Sequence, residues 1–106
     1  MTTQKEIKDF GRRLAAEFHP QKVVLFGSYA YGRPRPGSDV DLLVVMPLKG
    51  NPVDKAVEMR LKLRPRFALD LLVRTPGKIR ERLDMGDDFI KDILDKGKVL
   101  YEAVGG

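Results

Sequence analysis

Residues 39–46 read DVDLLVVM, two acids followed by five apolar residues with no alternation. A run of this kind has no polar face to offer water, which marks a central strand buried on both sides. The chain must therefore build layers over both faces of that strand. The two acids at its mouth complicate the task. Asp39 and Asp41 are two residues apart and so point to the same face, about 6.6–6.8 Å apart along the chain. Unpaired carboxylates in that position repel each other and lose hydration. Whatever compensates them bears on function.

The flanking segments supply the layers. Ile7, Phe10, Leu14 and Phe18 recur at spacings of three and four, which predicts a helix over 3–18 with one apolar stripe. Thr3 and Glu6 fit a capping box, Gly11 weakens the helix slightly, and Pro20 ends it. His19 is expected on a surface loop. KVVLFG over 22–27 predicts a first strand, SYAYG over 28–32 a helical turn opened by Ser28, and RPRPG over 33–37 a loop. Residues 51–63 predict a helix capped by Asn51, with Pro52 in its first position and Val53, Val57 and Leu61 as its inner face. A third strand is expected from about Arg66 to Arg74. Two short helices are expected over 76–86 and 87–97, and a last edge strand or packed tail over 98–104. Alternating strands and helices give an α/β (α+β) fold, a small central sheet with helices against it, as one domain over residues 1–106.

Composition narrows the chemistry. With no cysteine and one histidine, neither a disulfide nor the usual Cys/His zinc site is available. Any metal must be hard and oxygen-ligated. No apolar run approaches the roughly 20 residues of a membrane span, and the first residues carry no signal-peptide pattern, so a cytoplasmic location with no membrane contact is expected. The net charge of +5 is uneven: residues 49–82 hold ten Lys/Arg against four Asp/Glu. That excess suits an anionic partner, or simply a solvated helix face. Direct nucleic-acid binding is disfavoured, because no pattern of interleaved aromatic and basic residues accompanies the charge.

Asp70 lies within FALDLLV, where burial is expected and an unpaired acid would be costly. If the second and third strands are neighbours, Asp70 joins Asp39 and Asp41. No lysine or arginine lies inside either acidic strand segment, and a hard divalent metal such as Mg²⁺ would resolve the conflict. Two such ions would clamp the attacking and leaving oxygens of a displacement at phosphorus. Gly27 and Ser28 fit the same picture, since glycine permits close backbone approach and a helix start offers free N–H groups to phosphate. Each part alone has a plainer reading: a turn with a cap, a strand-start pair, an acid paired with Arg66 or Arg74. The combination is what points to phosphoryl chemistry.

FGSYAYGRPRPGSDVDLLV resembles the signature of the DNA polymerase beta-like nucleotidyltransferases, and its spacing is similar to that of their minimal nucleotidyltransferase branch. Nine residues separate Gly27-Ser28 from Ser38-Asp39. The resemblance implies the polymerase beta-like fold, a small mixed sheet with helices on it. It implies transfer of a nucleoside monophosphate, AMP from ATP, to a hydroxyl with two Mg²⁺ ions. By position, Gly27, Ser28, Ser38 and Arg33 would bind nucleotide. Asp39, Asp41 and Asp70 would bind metal and form the catalytic set, with Asp70 helping to deprotonate the acceptor. Many relatives carry arginine where Tyr31 stands here, and Arg33 and Arg35 are the nearby alternatives. Many members of the branch resemble antitoxins paired with an all-helical HEPN-domain toxin, which implies such a protein partner. An alternative from another class is a non-catalytic binding module that neutralises this partner by forming a complex. It would dock through the basic segment around Arg60, Arg64 and Arg66.

Overall fold

A computed structural model describes residues 1–104; the final two glycines of the expected 1–106 domain lie outside the described residues. The chain runs α1 (Gln4–Phe18), β1 (Lys22–Phe26), α2 (Ser28–Tyr31), β2 (Val40–Val45), α3 (Pro52–Leu63), β3 (Leu69–Arg74), α4 (Pro76–Asp84), α5 (Asp88–Lys96) and β4 (Lys98–Glu102). The strands form one mixed sheet in the order β3-β2-β1-β4. β1 is antiparallel to both β2 and β4, whereas β2 and β3 are parallel, joined by the α3 crossover that a parallel pair requires.

Strand alternation divides the core into two layers. One face carries Val23, Leu25, Leu42, Val44 and Leu71 and packs on Ile7, Phe10 and Leu14 of α1 and Met59 and Leu63 of α3. The other carries Val24, Phe26, Leu43 and Val45 and packs on Ile79 of α4 and Ile90 and Ile93 of α5. Leu42, Leu43 and Val44 are all fully buried. The unalternating run of β2 is thus a strand covered on both sides.

Local signals account for the element ends. Thr3 and Glu6 form the complete capping box of α1. Asn51 accepts from the Val53 amide at 2.8 Å, and Pro52 occupies the first helical position of α3. Gly11 has a packing reason: a Cβ there would lie 3.2–3.3 Å from Leu100, so glycine lets β4 close on α1. No described helix is long and apolar enough to cross a membrane.

Three expectations are corrected. The third strand begins at Leu69 rather than near Arg66. Val53, Val57 and Leu61 do not form the inner face of α3; they are 67%, 48% and 71% exposed, while Met59 and Leu63 face the core. Both sets have helical spacing, and the orientation of α3 over α1 and the sheet turns Met59 and Leu63 inward. Asp70 is exposed, not buried. The helices α4 and α5 cover the second face mainly over β1 and β2, so the same face of the edge strand β3 is left largely open.

Candidate functional site

The strand register sets the site. Asp41 pairs with Asp70 across β2 and β3, and with Phe26 across β1 and β2. All three project from the second face, as does Asp39, two residues before Asp41. The helical cover over this face reaches Leu43 and Phe26 but does not close over the acids. Asp41 is half-buried, whereas Asp39 and Asp70 stand on open surface.

This arrangement has an electrostatic signature. The Asp41 carboxyl is pushed above the usual carboxylate range, first by burial, then by the charges of Asp70 and Asp39. No base offsets these causes. Among the described residues, no group of three or more Asp, Glu, His or Cys side chains is placed to hold a metal ion. The donor set still fits a hard divalent cation, because Mg²⁺ takes only one or two carboxylates and fills the rest of its shell with water and phosphate oxygens.

Gly27 lies directly against Asp41. Its φ of +75° suits glycine, and a Cβ built there would fall on the Asp41 Oδ2 atom and 3.1 Å from Cγ. β1 therefore delivers bare backbone to the side of the Asp41 carboxylate. The chain then turns at once into α2, where the Ala30 and Tyr31 amides both donate to the Gly27 carbonyl at 3.0 and 3.2 Å. The Ser28 and Tyr29 amides are first-turn donors with no partner inside the helix. Tyr29 and Ala30 are buried in the first-face core, and Gln4 Nε2 donates to the Tyr29 carbonyl at 2.9 Å, which ties the turn to α1.

The remaining candidates are spread along the 32–39 connection. The Ser38 hydroxyl accepts from the Arg35 amide at 2.9 Å, and the Ser38 amide donates to the Arg35 carbonyl at 2.9 Å. Ser38 thus fastens the turn that leads into Asp39, and its own O–H proton remains available for donation. Arg33 and Arg35 are exposed, and Tyr31 is 54% exposed. The structure therefore brings Gly27, Ser28, Asp41 and Asp70 into one neighbourhood with Asp39 at its edge. It does not draw Arg33 into contact with them.

A feature that sequence reasoning missed begins at Leu72, two positions along β3 from Asp70, and the three acids do not line it. A cleft of roughly 620 Å³ runs over Leu72 and Arg74 of β3 toward Phe89, with Lys78 and Arg82 of α4 along its wall. Phe89 meets Phe26, the cross-strand neighbour of Asp41, edge to face at 5.8 Å. The available signal was the alternation of Asp70, Leu72 and Arg74, which places all three on one face.

The family model described as "Nucleotidyltransferase domain" matches residues 5–100. A relative from Methanocaldococcus jannaschii, named as a candidate protein adenylyltransferase, is 28% identical over 105 residues, covering 95% of this chain and 100% of its own. The fold is similar to that of a candidate nucleotidyltransferase from Sulfolobus solfataricus, with TM-score 0.64 and 24% identity, covering 96% of this chain and 82% of the other. It is also similar to a chain of a toxin–antitoxin complex with AMP-PNP, with TM-score 0.53 and 18% identity, covering 92% and 74%.

Proposed function

The chain belongs to the nucleotidyltransferase domain family, and we propose that its site moves AMP from ATP, with Mg²⁺, onto a hydroxyl of a partner protein, a HEPN-domain toxin being the partner type. The observation that carries this reading is the Asp41–Asp70 register pair set against the glycine backbone of residue 27. The adenylyltransferase name of the Methanocaldococcus jannaschii relative and the AMP-PNP in the similar toxin–antitoxin structure support the choice of nucleotide and of a protein acceptor.

The roles follow from position. The first-turn amides and hydroxyl of Ser28 bind the triphosphate, which approaches closely because Gly27 has no side chain. Asp39 and Asp41, with Asp70 beside them, would hold the cation and through it orient the nucleotide. When bound, Mg²⁺ would supply charge neutralisation at the phosphate oxygens. Asp70 also accepts a hydrogen bond from the acceptor hydroxyl and takes its proton. The acceptor oxygen forms its bond to the α-phosphorus as the bond to pyrophosphate breaks, and Asp70 releases the proton to water. Because Asp39 and Asp70 are open to solvent, the bound partner is what excludes water from the reacting atoms.

Incubation with α-labelled ATP, Mg²⁺ and the co-expressed partner tests the reading. Label on the partner is expected, with a loss of about a thousandfold or more in an Asp39→Asn/Asp41→Asn double variant. Undiminished labelling by that variant would sink the assigned roles. A second reading, neutralisation by binding alone, is favoured by one observation: the exposed Val53, Val57 and Leu61 stripe on α3 offers an apolar face to a partner. On that reading the double variant still neutralises the toxin.

A further inference from the structure

Strand order gives the site two distinguishable sides. Gly27 and Ser28 follow β1, Asp41 belongs to β2, and Asp70 to β3, with β2 between the other two. An in-line displacement places the attacking and leaving oxygens on opposite sides of the phosphorus. With the leaving pyrophosphate held at Gly27-Ser28, the attacking hydroxyl arrives from the β3 side. The cleft lies further along the same face of β3, from Leu72 to Arg74, beyond Asp70.

We infer that this cleft is the acceptor groove, and that it takes an extended acidic segment of the partner protein; the inference rests on the transferase reading above. Asp70, Leu72 and Arg74 form one file on the same face of β3. The four-residue step from Asp70 to Arg74 spans about 13 Å. An extended acceptor chain covers that distance in about four residues. A hydroxyl held at Asp70 therefore has a side chain about four residues away facing Arg74. The lining there includes three cations, Arg74, Lys78 and Arg82, and one acid, Asp87. Arg82 is already paired with Asp87 at 2.8 Å. Arg74 gives one guanidinium N–H to the Val73 carbonyl at 2.7 Å, leaving the rest of its donor fork for a ligand. Lys78 meets Glu81 at 3.1 Å across an exposed pair that a ligand carboxylate can displace at little cost.

The floor tells the same story. Leu72 and Phe89 supply apolar surface, and Phe89 is 57% exposed although it packs edge-on against buried Phe26. β3 is the edge of the sheet, so a chain laid along it meets no further strand, and Leu48, Gly50 and Pro52 complete the lining near Arg74. The required acceptor has a hydroxyl residue, an adjacent apolar residue over Leu72 and Phe89, and a carboxylate about four residues from the hydroxyl.

The test uses fluorescein-labelled peptides that place a serine the stated distance from either glutamates or lysines, read by anisotropy against the intact protein. The glutamate peptide is expected to bind about tenfold or more tightly than the lysine peptide. An Arg74→Glu/Lys78→Glu variant should reverse the preference, and Lys78→Gln alone should weaken it. Asp39→Asn/Asp41→Asn should leave peptide binding intact, which separates this groove from the catalytic assignment. Equal binding of the two peptides, no binding of either, or displacement of the glutamate peptide by Mg²⁺-ATP would overturn the inference; the last would make the cleft a nucleotide pocket.

Discussion

Replacing Asp41 with asparagine should stabilise the metal-free protein at neutral pH. The change keeps the side chain's shape and removes its charge. Asp70 lies directly across a parallel strand pair, about 5 Å away. Two unit charges at that distance repel by roughly 0.8 kcal/mol in bulk water and by about 3 kcal/mol at an effective dielectric constant near 20. Asp70 is exposed, so solvent screening favours the lower end, about 1 kcal/mol. Asp39, about two strand positions away, adds roughly 0.6 kcal/mol on the same terms. The sum, about 1–2 kcal/mol, corresponds to a rise in Tm of roughly 4–10 °C for a chain of this size. The pH dependence follows from the raised carboxyl of Asp41. Below the ordinary carboxylate range Asp41 is protonated in both folded and unfolded states, and the two proteins melt together. The penalty on the native protein grows as pH climbs through that range to the raised value, and is complete above it. Thermal melts across this window, with and without Mg²⁺, check both points. Mg²⁺ should raise the Tm of the native protein and do less for the variant. A variant less stable at neutral pH, or one with an equal advantage in acid, would refute the electrostatic account.

Two further outcomes are expected. Gly27→Ala combines a positive φ with a Cβ placed on the Asp41 carboxylate, so it should cost about 1–3 kcal/mol in chemical denaturation and abolish transfer even where the fold survives. Met59→Ala should cost about 2–5 kcal/mol because Met59 is fully buried, whereas Leu61→Ala, two residues along the same helix, should stay within about 0.5 kcal/mol in the same urea titration.

Much of the framework is legible in the sequence. The unbroken LLVV run declared a strand covered on both faces, and the Thr3–Glu6 and Asn51–Pro52 pairs marked helix starts, because those signals act over a few neighbouring residues. The orientation of α3 could not be read in the same way. Val53, Val57 and Leu61 make a stripe as regular as Met59 and Leu63 do, and only the shape of the space beside α1 selects between them. Asp70 was misplaced for a related reason. An acid in an apolar string is buried only if something covers its face, and the extent of α4 and α5 over the sheet is a long-range matter. The cleft beside it combines β3, α4 and α5, segments whose meeting no local pattern records.

The parallel register of β2 on β3 also governs how the site fluctuates. Val40 donates to the Ala68 carbonyl at 2.8 Å at the start of that ladder, immediately beside the acids. Sliding β3 by one residue would turn Asp70 into the layer that holds Met59 and Leu63, so no partial slip keeps both strands paired and the acids together. The carboxylate pair therefore cannot come apart by a one-residue slip; separating the strands that carry it means breaking the ladder between β2 and the edge strand β3. In hydrogen-exchange terms, the β2 amides beside Asp41, in a strand with neighbours on both sides, are expected to exchange more slowly than those of the connection carrying Arg33 and Arg35.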